Sequence, residues 1–294
     1  MTQLKPKDLW EPGIEGLYLG LPAEKYHAAP GVNHSMLKNS EPVARLPVYL
    51  QEKEPPTTAM IMGTLVHQSI LEPEKPFPQI VVKPDGMQFR STADKAWRDE
   101  HLTAGRIILH ETGKDSIEQL NGMVASIKKH PFCQRIFQDG ESEVSGFTRQ
   151  TKGLLRKIRI DWLPHGTALV DIKTMAGEAD EETVSRLLYN ERYYTQAAWY
   201  LDCWNDLMPE EPRHSFIFVF VEKSPPYLVA LYFLTDDLGE HDDGTIQLGR
   251  RRNAQNLVAI SEAKKTGIWP GFCETPQRIT IPKYARLKAQ EGNL

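Results

Sequence analysis

The sequence predicts an α/β fold, a β-sheet with helices on both faces, and three observations lead there. The hydrophobic period changes from helical to strand spacing near residue 140 and returns to helical after Met175. Strand candidates fall into two groups, three ahead of a pair of helices and two behind it. The resulting order of helix, strands, helices, strands and helix is that of a layered α/β domain.

Taken in order, residues 1–56 are proline-rich, lack periodicity and end in QEKEPPTT, which predicts an N-terminal arm packed on a core domain spanning 57–294. AMIMGTLVHQSILEPE is apolar without a β-branched majority and is stopped by Pro73. It predicts a buried helix from Ala59 to Leu71, with Gly63 and His67 on one face. A helical insertion is expected over about 77–138, with helices at Thr92–Ala104 and Asp115–His130; the second sets Ile117, Leu120, Val124 and Ile127 at helical spacing. SEVSGFTRQ, GLLRKIRIDWLP and TALVDIKTM read as consecutive strands joined by short turns at Thr151–Gly153 and Pro164–Thr167, an antiparallel meander. EADEETVSRLLYN and ERYYTQAAWYLDCWNDL return to helix, the second apolar on several faces as a buried helix is. RHSFIFVFVEK and YLVALYFL are strands linked through Ser224-Pro225-Pro226. A long helix from about Leu238 to Lys265 follows, with Arg250-Arg251-Arg252 midway.

Composition removes several function classes. The chain has 294 residues, 40% hydrophobic and 25% charged, which is globular rather than disordered. Against 39 Asp+Glu, 35 Lys+Arg leave a net charge of -4, so any polyanion must be held by a local patch. Cys133, Cys203 and Cys273 are isolated and odd in number, excluding a disulfide framework and a four-cysteine zinc or iron–sulfur site. A reducing cytoplasm is the expected location, since the N-terminus lacks a signal-peptide core and no apolar run nears the ~20 residues of a membrane span. P-loop, G-x-S-x-G, H-E-x-x-H and G-x-G-x-x-G motifs are missing.

The residues that could do chemistry gather on the meander. In Val170-Asp171-Ile172-Lys173-Thr174, strand alternation sets Asp171 and Lys173 on one face, as a structural ion pair or as parts of a site. Asp161 ends the preceding strand, as a turn cap or as a second carboxylate brought against Asp171 by the hairpin. Two carboxylates in one cleft repel, and a hard divalent ion such as Mg²⁺ relieves them; the pair plus the lysine favours a site. His67 reads as a packed helix histidine or as a ligand. Gly63, one turn earlier, costs about 1 kcal/mol relative to alanine and points to a backbone or ligand approaching that face. Gln196 and Tyr200 share a face of their helix.

As an ordered set, Gly63-x-x-x-His67, Glu143, Gly153 through Asp161, Asp171-Ile172-Lys173-Thr174 and Gln196-x-x-x-Tyr200 resemble the signature of RecB-like nucleases in the PD-(D/E)xK superfamily. Within it the chain is similar to the RecE-type exonucleases of phages and prophages. That similarity runs through Tyr26-His27, His34-Ser35-Met36-Leu37-Lys38, Leu71-Glu72-Pro73 and Tyr194-x-Gln196-Ala197. The PD dipeptide itself is missing, Ile160 standing before Asp161.

The resemblance implies a nuclease core with a central mixed sheet whose antiparallel meander is catalytic. It implies Mg²⁺, replaceable by Mn²⁺, bound by His67, Asp161, Asp171 and the Ile172 carbonyl. Lys173 would orient or activate the attacking water, its pKa lowered by neighbouring metal. Gln196 and Tyr200 would support the site and the phosphate, and Glu143, with Glu141 competing for the assignment, would be a further acid. The implied activity is ATP-independent 5′ to 3′ degradation of linear double-stranded DNA, leaving 3′ tails for a RecT-like annealing partner. A ring-shaped homotetramer in a bacterial or phage-infected cytoplasm is implied with it. A structure-specific or restriction-like endonuclease, or an inactive DNA-binding domain, are the alternatives. Expected DNA contacts are Lys152, Arg156, Lys157 and Arg159 beside the hairpin and Arg250, Arg251 and Arg252 on the final helix. Consecutive helix positions point about 100° apart, so that triplet cannot meet one phosphate.

Overall fold

A computed structural model of the chain describes residues 4–51, 55–149, 153–236, 244–281 and 286–287. The chain runs β1 (Leu4–Pro6), β2 (Gly16–Leu19), α1 (Ala23–Ala28), α2 (His34–Lys38), α3 (Leu46–Gln51) and α4 (Thr58–Leu71). Next come β3 (Ile80–Val82), α5 (Thr92–Thr103), β4 (Ile107–Leu109), α6 (Ile117–Lys129) and α7 (Pro131–Ile136). Then follow β5 (Gly140–Arg149), β6 (Leu155–Pro164), β7 (Ala168–Met175), α8 (Glu181–Asn190), α9 (Tyr193–Leu207), β8 (Ser215–Glu222), β9 (Val229–Thr235) and α10 (Thr245–Thr266).

Among the described residues the main sheet has seven strands in the order β1-β2-β5-β6-β7-β8-β9. The pairs β2–β5, β5–β6, β6–β7 and β8–β9 are antiparallel, while β1–β2 and β7–β8 are parallel, so the sheet is mixed. Strand alternation divides the core. Phe216, Phe218 and Phe220 of β8 pack with Trp199 and Trp204 of α9 on one face. Val219 and Val221 pack with Met62, Leu65 and Val66 of α4 and Met123 of α6 on the other. Side-chain caps start the helices where polar residues precede an apolar run: Thr57 accepts from the Met60 amide and Asp180 from the Thr183 amide. At Gly249 of α10 a Cβ would lie 2.6 Å from the Tyr194 carbonyl, so glycine lets α10 lie directly on α9.

Residues 4–51 are woven into this architecture. β2 pairs with β5 through Gly16↔Phe147 and Tyr18↔Ser145, and Tyr18, Leu21 and Tyr26 form a third cluster with Phe147 and Leu155. The region expected to be a helical insertion holds the two anticipated helices as α5 and α6, and also a two-stranded parallel sheet, β3–β4, which was not anticipated. The expected start of the last helix, 238–243, and the turn residues Thr151 and Lys152 lie outside the described residues.

Candidate active site

β6 and β7 share one registered pair, Trp162↔Val170. The Ile172 amide donates to Asp161 Oδ2 at 3.3 Å, where a strand partner's carbonyl would stand in a closed ladder. From α4, His67 Nε2 donates to the Ile172 carbonyl at 2.7 Å, and its Nδ1 lies 3.3 Å from Asp161 Oδ2. A cavity of about 360 Å³ opens here, with His67, Asp161, Asp171 and Lys173 on its wall.

Asp171 and Lys173 point to the α9 side of β7. The Asp171 carboxylate is buried; its Oδ1 accepts from Gln196 Nε2 at 2.6 Å and its Oδ2 lies 2.6 Å from Lys173 Nζ. Lys173 also stands 5.1 Å above the Tyr193 ring. Burial works against its charge, but the Asp171 and Asp161 carboxylates outweigh it and hold the Lys173 pKa above the ordinary lysine value. With two carboxylates in reach, Lys173 is an ammonium donor in the metal-free state; the expected lowering was one imposed by bound metal and concerns a different state. Burial first, then the Asp171 charge, push the Asp161 carboxyl up to about 7, with His67 opposing.

Glu143 occupies the β5 position opposite Asp161, between Ser142↔Trp162 and Val144↔Ile160, in a left-handed backbone with φ of 54°. Such a conformation is strained for glutamate and needs surrounding support. Arg159 provides it, its Nε donating to the Glu143 carboxylate. The turned side chain joins His67 and Asp161, the three offering ligand atoms within 4.8 Å of one another. Glu141 is exposed, so of the two competing acids it is Glu143 that stands in the cluster. Asp171 adjoins the cluster without belonging to it, and the Ile172 carbonyl is engaged by His67. Two carboxylates and an imidazole, with Asp161 hard to ionise because it is buried and because the Asp171 charge lies near, form a donor set that fits a hard divalent cation.

Tyr200 lines the cavity beside Gln196; burial pushes its phenol well above the usual tyrosine value, so it stays a neutral donor. At Gly63 the backbone alternative of the two expected does not hold. A Cβ there would meet only Thr174 Oγ1, at 3.8 Å, which is ordinary contact, so no backbone crowds that face of α4. Gly63→Ala should therefore raise stability by about 0.5–1 kcal/mol in urea unfolding, and a lowered midpoint would reveal a contact tighter than this one.

Several residues on the cavity wall are not among the site residues expected from the sequence, Tyr193 and His34 among them. Tyr193 flanks Lys173, and His34 of α2 faces the cavity with Nε2 2.8 Å from Thr195 Oγ1. Burial, with Lys173 and Lys38 nearby, lowers the His34 pKa to about 3, so it is neutral. The only signal for His34 was the likeness of the segment His34–Lys38 to RecE-type sequences.

Most of the expected DNA contacts have other partners. Arg156 is buried, paired with Asp206 and set 5.7 Å from the Trp199 ring. Lys157 is buried too, donating to the carbonyls of Tyr26, His27 and Ala29 at 3.0, 3.1 and 2.7 Å. Both lie on a central strand, where an ion shut off from water must be paired. Arg159 binds Glu143 and lines the cavity. Arg250 bridges Asp202 at 2.7 Å and Asp236 at 2.5 Å, and Arg252 is held by Glu41 and by the Tyr194 hydroxyl. Arg251 is exposed, and Lys152 lies outside the described residues.

The profile of the family described as "PDDEXK-like domain of unknown function (DUF3799)" matches residues 35–280. Among solved structures, a candidate exonuclease from Eubacterium rectale aligns with a TM-score of 0.59 at 17% identity, over 92% of this chain and 99% of that one. At that identity the likeness is one of fold. SSO0001 (TM-score 0.27, 15% identity, 68% of this chain and 86% of that one) is far more distant. So is Rai1 of Scheffersomyces stipitis (0.26, 11%, 92% and 84%). No curated protein matches the chain.

Proposed function

Because the chain belongs to the DUF3799 family of PDDEXK-like domains, and so carries a PD-(D/E)xK nuclease core, we propose that it is a RecE-type exodeoxyribonuclease using Mg²⁺ or Mn²⁺. The observation that supports this most is the cleft where β6 and β7 part, in which Asp161, Asp171 and Lys173 meet His67 and Glu143. The rest of the proposal is 5′ to 3′ polarity on linear duplex DNA, 3′ tails passed to a RecT-like annealing protein, and a ring-shaped homotetramer in the cytoplasm. It also takes residues 1–56 as an arm on a nuclease domain of 57–294. Those parts follow from the sequence resemblance. Among the described residues no helix is long and apolar enough to cross a membrane.

Phosphodiester hydrolysis needs a water aligned with the leaving oxygen and relief of the charge that builds on the phosphate. His67, Glu143 and Asp161 would hold the divalent ion, with Asp171 adjoining. When bound, such an ion neutralises phosphate charge and makes a coordinated water more acidic. Lys173, kept protonated by its carboxylates, donates to the water or to a phosphate oxygen. Gln196 fixes Asp171 so that one carboxylate oxygen stays turned to Lys173, and Arg159 fixes Glu143. Tyr200 remains a neutral donor on the same wall.

The test is incubation with linear duplexes labelled at either end, and with a closed circle, in Mg²⁺ without ATP. Early release of the 5′ label with the circle left intact is the expected result. Cleavage of the circle would make the protein an endonuclease, and intact DNA in both Mg²⁺ and Mn²⁺ would overturn the assignment.

A further inference from the structure

We propose that residues Leu21 to Lys38 form the substrate-facing wall of the site, and that Lys157, enclosed within β6, is the residue that positions this wall. The second half of the statement stands on geometry alone, and the first rests on the nuclease reading.

Lys157, Arg159 and Asp161 alternate along β6, so their side chains leave the strand on one face. Asp161 enters the cluster with His67 and Glu143. Arg159 reaches Glu143 and also donates to the Leu21 carbonyl at 2.8 Å. Lys157 donates to the carbonyls of Tyr26, His27 and Ala29 at 3.0, 3.1 and 2.7 Å, three acceptors for the three donors of an ammonium. These carbonyls belong to the end of α1, where the helix ladder runs out: the Tyr26 carbonyl also accepts from the Ala29 amide at 3.3 Å, and those of His27 and Ala29 lie beyond it. Burial lowers the Lys157 pKa to about 8, which leaves it protonated at neutral pH. The backbone continues the attachment: the Val32 amide donates to the Leu155 carbonyl at 2.8 Å, and the Lys157 amide to the Val32 carbonyl at 2.8 Å.

From this anchored turn the chain passes directly into α2, and Tyr26, His27, His34 and Lys38 all face the cavity. The far end of the wall is tied to α9. Because the Thr195 hydroxyl donates to the Arg192 carbonyl at 2.7 Å, it accepts from His34, so Nε2 carries the proton and Nδ1 keeps its lone pair. None of the clustered metal-donor side chains comes from this segment; they come from α4, β5 and β6. The wall and the metal donors are thus separate parts of the site, joined through the same strand.

Lys157→Met keeps the apolar stem and removes the donors; Lys157→Gln is the milder variant if the first does not fold. Three quantities should be measured in the full chain: amide exchange at Tyr26–Val32, Mn²⁺ affinity by calorimetry, and KM and kcat on a linear duplex. Exchange in that segment should accelerate about tenfold or more, and KM should rise about fivefold or more. Mn²⁺ affinity and kcat should each stay within about threefold of wild type. A folded variant with wild-type exchange and KM would overturn the proposal. So would a joint fall in Mn²⁺ affinity and kcat, which would make Lys157 a support of the whole core. The exchange measurement does not need an active nuclease: a wild-type protein that leaves DNA intact would sink the functional reading and still leave the anchor open to refutation.

Discussion

Lys173→Ala is expected to lower kcat by about 10²–10³-fold or more while KM and Mn²⁺ affinity change little. Removing one fixed donor aimed at charge that develops in the transition state typically has that effect. Lys173 is proposed as such a donor: Asp171 lies 2.6 Å from its ammonium, and in the metal-free state the two carboxylates hold its pKa above the ordinary lysine value despite its burial. Single-turnover cleavage of a labelled linear duplex measures the loss. A rise confined to KM would mean that Lys173 only grips substrate. Calorimetric titration with Mn²⁺ separates a third outcome, loss of metal affinity, which would show the alanine disturbing the cluster itself.

The second large effect concerns Asp161, and it appears without any substrate. Its carboxyl is moved from 3.8 to about 7 in the folded chain, so between about pH 4 and 7 the folded state keeps a proton that the unfolded state has released. Metal-free stability should therefore fall as pH rises through that window and level off above it; the contribution of the protonated carboxyl is fully present only below about pH 4. Asp161→Asn removes the ionisation, so at pH 8 without metal it should be more stable than wild type by about 1–3 kcal/mol, seen as a Tm several degrees higher. Divalent ion should raise the wild-type Tm and leave that of Asp161→Asn nearly unmoved if, as proposed, the ion binds the folded state through this carboxylate. A variant less stable than wild type at pH 8 would show that the carboxylate is not under strain.

How far the molecule can be read from its sequence depends on element length. The long strands β5 to β9 and the helices α4, α6 and α9 carry enough periods for alternation to show, and they lie within a few residues of where periodicity sets them. β1 and β2, with three and four residues, are too short for any period to register and owe their conformation to the sheet edge they join. The site divides in the same way. Asp171 and Lys173 follow from strand parity, and Asp161 from the hairpin. Glu143 reaches the cluster only through a left-handed backbone that no residue pattern announces.

Charge was the least legible quantity. Arg156 and Lys157 read as surface cations because a sequence does not display which acceptors meet them. The carbonyls that hold the Lys157 ammonium come from 128 to 131 residues earlier in the chain. The direction of the Lys173 shift depends likewise on which neighbour is closest. In this structure the neighbour is the Asp171 carboxylate.

In the proposed reading, the cleft between β6 and β7 cuts DNA with the help of a divalent ion held at Asp161. Nucleotide release from linear duplex DNA at pH 8, with Mg²⁺ and with excess chelator, for wild type and Asp161→Asn side by side, tests it most directly. Release by the wild type in Mg²⁺ alone is expected, with none above background from Asp161→Asn under either condition. Equal release in chelator, or a variant as fast as wild type, would contradict it.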